Sequence, residues 1–379
     1  MPHIEDLREQ FPVCRSHIYL NHAAVCPLPI ACTEAMGGYL HELSHHGIAR
    51  GPSIWTEALN TVRDRGARLL HAEDEDIFIV RSTTQGLSIV ALGFPFQPGD
   101  NLVLAEHEFP ANQRVWMPLR KRGVEIRFVR SQQGRIALDD LAAAIDDKTR
   151  VVSLSFVQFH TGFRIDLAAV AELCRPHDAL LCVDAIQGLG AFDLDVKAAG
   201  VDFLSADAHK WLLGPEGVGL GYCSPRALER IEPALEGWLS VAHPFDFYDL
   251  AQPLKNTAQR FEDSAYNVAG IIGLGGSLSL FHKFGLPAIS ARILELTDHL
   301  AEGLERRGWK LLSPRARTEE KSGILTASPP ADPKACYKRL EEAGVVLSLR
   351  DFPDGRQALR FAPHAYNTVE EMEQVLAVL

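Results

Sequence analysis

Asp184 follows an apolar run, Ala179-Leu-Leu-Cys-Val183, and Lys210 stands 26 residues further on, after a second run, Val201-Asp-Phe-Leu204. Runs of this kind read as neighbouring strands of a parallel sheet, whose carboxyl ends open on ligand sites in α/β proteins. A buried carboxylate beside a buried amine is costly unless a ligand lies between them. Pyridoxal 5'-phosphate (PLP) uses both groups. Its aldehyde condenses with a lysine amine as a Schiff base, while a carboxylate keeps a proton on the ring nitrogen so that the ring can accept electrons. Lys210 sits between His209 and Trp211 and precedes Gly214-Pro-Glu-Gly217-Val-Gly219, a turn that lets backbone approach a ligand closely. Desolvation there lowers the amine's pKa, and the freed Lys210 can move the proton at a substrate's α-carbon. Gln187, three residues past Asp184, can donate to the ring's phenolic oxygen.

The cofactor's phosphate needs a cradle. Arg81-Ser82-Thr83-Thr84-Gln85-Gly86 supplies one, between the strand Ile77-Phe-Ile-Val80 and a helix opening at Leu87. Hydroxyls and free N–H groups at a helix start bind phosphate well, with Thr83 and Thr84 the candidates here. Ordinary capping by Ser82 or Thr83 is the competing explanation.

These groups require a sheet to hold them. From residue 76 to 223 the chain alternates strand and helix: strands at 77–80, 101–104, 125–129, 151–155, 179–183, 201–204 and 218–223, the last possibly antiparallel, with helices at 83–94, 111–122, 138–146 and 166–177. Earlier segments 28–48 and 54–71 read as helices. Past residue 225 the rhythm changes to long helices at 268–284 and 286–308. A smaller unit follows, with strands near 323–327, 345–350 and 357–361 and helices near 333–343 and 368–378. The expected fold is α/β: a large domain with a mostly parallel sheet covered by helices on both faces, plus a smaller C-terminal α+β domain. Residues 21–265 form the first and 266–379 the linking helices and the second; residues 1–20 should pack on the small domain or on a partner subunit.

The 379 residues are 46% hydrophobic and 23% charged, as in an ordinary globular protein. A net charge of −11 with no basic run argues against nucleic acid or an anionic membrane surface. The start lacks the order of a signal peptide, and the most apolar window, Val268 to Phe281, is too short to span a bilayer. Seven scattered cysteines without Cys-x-x-Cys suggest a reduced, cytoplasmic protein.

Taken together the motifs resemble the class V aminotransferase family of fold-type I PLP enzymes, which includes cysteine desulfurases and isopenicillin N epimerase-like proteins. The resemblance runs from Tyr19-Leu-Asn-His-Ala-Ala24 to Tyr366-Asn-Thr-Val-Glu-Glu371. Its most specific parts are the Arg81–Gly86 cradle, Glu106-His-Glu-Phe-Pro-Ala-Asn112, Val183-Asp-Ala-Ile-Gln187, Ala208-His-Lys-Trp-Leu-Leu-Gly-Pro-Glu-Gly217 and Arg260-Phe-Glu262. The resemblance implies that Phe109 lies over the cofactor's face, where desulfurases commonly have His, and that Gln158 meets the phenolic oxygen. Asp207 occupies the position of a phosphate-binding Ser, so that His209 is the better phosphate ligand. It also implies that Ser264 reaches the neighbouring subunit's phosphate site in a homodimer, that Arg360 binds the substrate carboxylate, and that Arg350, Arg164 and His22 are lesser candidates on the substrate side. Desulfurases carry a sulfur-accepting Cys between the positions of Arg350 and Arg360; none exists here, and Cys336 lies in a separate helix.

The expected activity is Cα–H chemistry on an amino-acid substrate, transamination or epimerisation, with a C–S lyase as the alternative and a non-catalytic PLP-fold binding protein as a lesser one. The helical pair His41 and His45 could bind zinc only with a third ligand. No Gly-x-Ser-x-Gly or Gly-x-Gly-x-x-Gly pattern supports a serine hydrolase or a dinucleotide site.

Overall fold

The computed structural model describes residues 3–49 and 51–379. Fifteen strands occur among them: β1 Ile18–Tyr19, β2 Ile77–Val80, β3 Asn101–Ala105, β4 Glu125–Val129, β5 Ser131–Gln132, β6 Arg135–Ile136, β7 Thr149–Ser155, β8 Leu180–Asp184, β9 Phe203–Asp207, β10 Gly219–Cys223, β11 Lys310–Leu311, β12 Leu325–Ser328, β13 Val345–Val346, β14 Ser348–Asp351 and β15 Gln357–Phe361. Seven of these form the main sheet in the order β2-β10-β9-β8-β7-β3-β4. Pairing is parallel from β9 to β4, and β10 alone runs against both its neighbours.

Alternation along the strands fills two cores. Phe78, Val80, Leu102, Leu104, Leu180, Cys182 and Phe203 face one side, and Ile77, Ile79, Val103, Leu154, Leu181, Val183 and Leu204 the other. Both sides are covered, which is why the strands read as unbroken apolar runs. Each buried Leu, Ile or Phe contributes roughly 1.5–3 kcal/mol relative to exposure. A second, antiparallel sheet, β11-β12-β15-β14, packs its own core of Leu300, Leu304, Leu325, Leu359, Met372 and Leu376 against the helices Leu286–Arg306 and Val369–Val378.

Three expected elements differ. The segment 111–122 is a short helix, Ala111–Arg114, followed by a 3₁₀ turn, Met117–Arg122. Asn112 leaves helical dihedrals (φ −92°, ψ 15°) to accept hydrogen bonds from Ser153 Oγ (2.6 Å) and Trp116 Nε1 (3.1 Å), and Pro118 then lacks a backbone donor. The helix expected to reach 177 stops at Cys174 and tightens to 3₁₀ through Pro176. The strand expected over 345–350 is split into β13 and β14. β13 pairs in parallel with β1, so the N-terminal segment lies on the second sheet's module, held also by Arg8 to Glu371 (2.7 Å) and by Phe11 stacked on Tyr366 at 3.9 Å.

Candidate active site

The carboxyl ends of β2, β3, β7, β8 and β9 gather the site. Asp184 is the last residue of β8 and pairs with Ser155 of β7 and Ser205 of β9. Lys210 comes three residues after the end of β9. Its loop is tightly fixed: Gly214 N donates to Ala208 O (2.9 Å), Ser277 Oγ donates to Leu213 O (2.6 Å), and Leu213 adopts the left-handed φ of 59°. A non-glycine residue there stores strain that only a well-packed surround can hold.

Asp184 is 1% exposed. One carboxylate oxygen accepts from Ile186 N at 3.1 Å; the other, Oδ2, is buried with no partner. Burial, and then the nearby Glu108 carboxylate, raise its pKa above the ordinary aspartate value. Lys210 is 7% exposed, its pKa lowered mainly by burial, and its Nζ lies 5.4 Å from the centre of the Phe109 ring. A buried acceptor lacking a donor and a buried amine kept partly uncharged fit a pyridine nitrogen and an aldehyde respectively.

Where the sequence leads one to expect the phosphate, Ser82 caps the helix Thr83–Gly93 by accepting from Gln85 N (3.1 Å). Thr83 Oγ1 accepts from Asp207 N (3.0 Å), which leaves its own O–H free to donate to a phosphate. Thr84 is exposed at the helix mouth. Gly86 lets the helix sit on β9, for a Cβ there would come within 2.2 Å of Ser205 Oγ. Asp207 turns its carboxylate toward its own backbone: Oδ1 accepts from Ala208 N (2.9 Å) and lies 3.2 Å from His209 Nδ1, without hydrogen-bond alignment. This removes the clash of an acid pointed at phosphate. Ser264 is exposed and lines a small cleft with Arg81 and Gln85 beside the helix mouth.

Phe109 is 41% exposed, with Phe159 edge-on at 5.1 Å. Gln158 is buried and its Nε2 donates to Glu108 Oε1 at 2.8 Å. Glu108, 3% exposed, also accepts from Ser155 N (2.9 Å) and Ser155 Oγ. Burial raises its pKa, opposed by these hydrogen bonds. No motif in the sequence marks Glu108; its one signal is an acid placed between an apolar strand and Phe109.

Two expected substrate-side roles, those of His22 and Arg164, are corrected, and Gln187 gains a bracing role. Gln187 Nε2 donates to Ala23 O (3.0 Å) and its Oε1 accepts from Trp211 Nε1 (2.9 Å), so this amide braces the Lys210 loop against the N-terminal segment. His22 is fully buried, with Nδ1 on Ala362 O and Nε2 on the Tyr366 hydroxyl, each at 2.9 Å. No ring nitrogen remains for a substrate. Arg164 is likewise turned away, its guanidinium 4.4 Å over the Phe192 ring and Nη2 on Thr318 O at 3.1 Å.

Arg360 comes in from the second sheet. It is 1% exposed, donates from Nη1 to Phe159 O (2.8 Å), and leaves Nε and Nη2 buried without partners. Arg350 adds a second guanidinium whose Nε is also unpaired. Such forked donors match a carboxylate. The rings of His41 and His45 stand 4.0 Å apart on their helix, and no group of three potential metal ligands occurs among the described residues.

A sheet ending in a buried Asp and a buried Lys, closed by an arginine from a second module, defines an enzyme of the fold-type I PLP class. The chain belongs to the class V aminotransferase family, whose model, described as "Aminotransferase class-V", matches residues 18–375. It is 31% identical to a probable cysteine desulfurase of Methanothermobacter thermautotrophicus, over 78% of this chain and 74% of that one. The apo structure of a cysteine desulfurase from Thermococcus onnurineus NA1 superposes with a TM-score of 0.90 at 25% identity, covering 100% of this chain and 97% of that one. The cystine C–S lyase C-DES is similar at 26% identity, both with cysteine persulfide (TM-score 0.87, 97% and 98% covered) and with glycine linked to its PLP cofactor (TM-score 0.88, 100% and 98% covered).

Proposed function

We propose that this PLP-dependent enzyme is a C–S lyase acting on a sulfur-bearing amino acid, in preference to the transamination or epimerisation expected from the sequence. The observation that carries the choice lies in the turn Phe352–Arg356 between β14 and β15. The similar proteins are named for breaking carbon–sulfur bonds, yet this turn has no cysteine, and Cys336 is buried in the helix Pro333–Glu342. Sulfur therefore leaves the substrate without a covalent stop on the protein.

When bound, PLP supplies the aldehyde that captures the amine and the electron sink that makes Cα–H acidic. Lys210, Asp184 and the Thr83 cradle would hold it, with Phe109 against its face. Arg360 would fix the substrate carboxylate, aided by Arg350, and so aim Cα–H at the Lys210 amine. Burial keeps that amine partly deprotonated and able to take the proton. Incubation with L-cysteine, L-cystine and L-alanine tests the proposal. Pyruvate with sulfide or persulfide supports it; keto acid with a pyridoxamine form, or racemised amino acid, would return the assignment to the other reactions.

The same proposal includes a homodimer. Phe245 (71% exposed), Phe247 (64%), Tyr248 (96%) and Leu250 (95%) form an exposed apolar loop that precedes Ser264 in sequence, with the 3₁₀ helix Ala258–Phe261 between them. Apolar side chains in such number suit a covering second copy. No helix among the described residues is long and apolar enough to cross a membrane.

A further inference from the structure

One ring near Arg360 and Arg350, that of His160, is held by aromatic contacts on several sides. The His160 ring packs tilted against Phe159, with centroids 3.7 Å apart and planes at 35°. Phe352, from the β14–β15 turn, lies against it at 5.3 Å and 34°, and His107 stands edge-on at 6.4 Å and 88°. The turn that carries Phe352 is closed by Phe352 N donating to Arg356 O at 2.8 Å. The backbone is pinned too: Thr326 Oγ1 donates to His160 O (2.6 Å), and Arg360 Nη1 donates to the carbonyl of the preceding Phe159 (2.8 Å). Yet neither ring nitrogen of His160 has a hydrogen-bond partner among the described residues. Both remain available to a ligand held by Arg360. Burial, His107 and the guanidiniums of Arg360 and Arg350 lower the ring's pKa to about 4, so it is neutral at physiological pH, one nitrogen a donor and the other an acceptor.

Resting on the lyase reading, we propose that His160 receives the sulfur substituent on the substrate's Cβ and donates its N–H to that sulfur as the Cβ–S bond breaks. Both electrons of the bond pass to sulfur. The departing thiolate takes the His160 hydrogen bond in the field of Arg350 and Arg360 and leaves as the thiol with a proton from solvent. The remaining three-carbon fragment is hydrolysed to pyruvate and ammonia, so that L-cysteine and water give pyruvate, ammonia and hydrogen sulfide with no oxidant or reductant consumed. Phe352 occupies the turn that would otherwise present an acceptor thiol, and its tilted ring contact holds the imidazole in place.

The test compares two readouts on the PLP-loaded enzyme with L-cysteine in deuterated water: exchange of Cα–H by NMR, and release of sulfide. His160→Ala should lower sulfide release by about tenfold or more while Cα–H exchange and the cofactor's absorption spectrum stay within about twofold of the wild type. His160→Gln keeps an N–H donor and should recover most of the release. β-Chloro-L-alanine, whose leaving group needs no donor, should be turned over alike by wild type and His160→Ala. Loss of exchange and release together, or retention of both, overturns the role of His160 and leaves the lyase reading standing. A wild-type enzyme that exchanges Cα–H but releases no sulfur from L-cysteine or L-cystine overturns the lyase reading and this role with it.

Discussion

Arg360 pairs with Ser348 in the β14–β15 ladder, and Arg350 lies two residues beyond Ser348, so the two guanidiniums open on one face of the second sheet from neighbouring strands. No carboxylate forms an ion pair with either among the described residues, and the field of Arg350 adds to burial in lowering the pKa of Arg360. Two cations are thus brought together without an acid between them, over the ends of the main sheet's strands. An anionic ligand resolves that arrangement.

Removing the buried guanidinium should therefore act on substrate and spare the cofactor. Arg360→Ala should raise KM for an amino-acid substrate about thirtyfold or more, with cofactor absorbance unchanged. Arg360→Lys should recover little, because an ammonium cannot offer the forked pair. Steady-state kinetics beside absorbance spectra decide it; equal loss of both signals would make Arg360 a structural residue.

Asp184 is the ring-nitrogen partner in this account. Asp184→Ala should bind PLP weakly and lose about a hundredfold or more in turnover. Glu108→Gln is the informative companion. It removes the carboxylate that, after burial, contributes most to raising the pKa of Asp184, and should shift the enzyme's pH profile while retaining the cofactor. Cofactor titration and a pH–rate series measure the two effects.

The strands bearing Asp184 and Lys210 were legible because a parallel sheet covered on both faces writes itself as apolar runs, and the cradle because Ser82 and Thr83 mark a helix start. The site's polar floor was not legible. Glu108 joins Ser155 and Gln158 across 47 and 50 residues of sequence, and no local pattern announces a contact between strand ends. His22 was misread for a related reason: its partners Ala362 and Tyr366 lie 340 and 344 residues away, so its burial was invisible. His160 reads as a loop residue until Phe352 is brought against it from the second sheet.

His22 also makes an acid-sensitive joint. Burial lowers its pKa to about 4, whereas the unfolded chain titrates near 6.5. Between those values the unfolded state binds the extra proton, so stability is complete above about pH 6.5 and falls as pH drops toward 4. The loss attributable to His22 is on the order of 3 kcal/mol at the acid end. His22→Asn, which cannot titrate, should be less stable at neutral pH and show a shallower fall. Thermal denaturation of both proteins from pH 7.5 to pH 4.5 tests this; parallel curves would contradict it.

If a second copy covers the aromatic loop, charge placed there should separate the subunits. The double variant Phe245→Asp/Phe247→Asp should shift the protein to monomer in light-scattering chromatography and weaken PLP retention, because Ser264 would no longer reach its neighbour's phosphate site. A wild-type monomer would exclude the shared site outright.

The most direct test concerns Lys210. The purified protein, loaded with PLP, is reduced with borohydride, digested and mapped by mass spectrometry. The account predicts a pyridoxyl group on the peptide containing Lys210 and none on the Lys210→Ala protein. A modification on any other lysine, or no covalent cofactor at all, would contradict it.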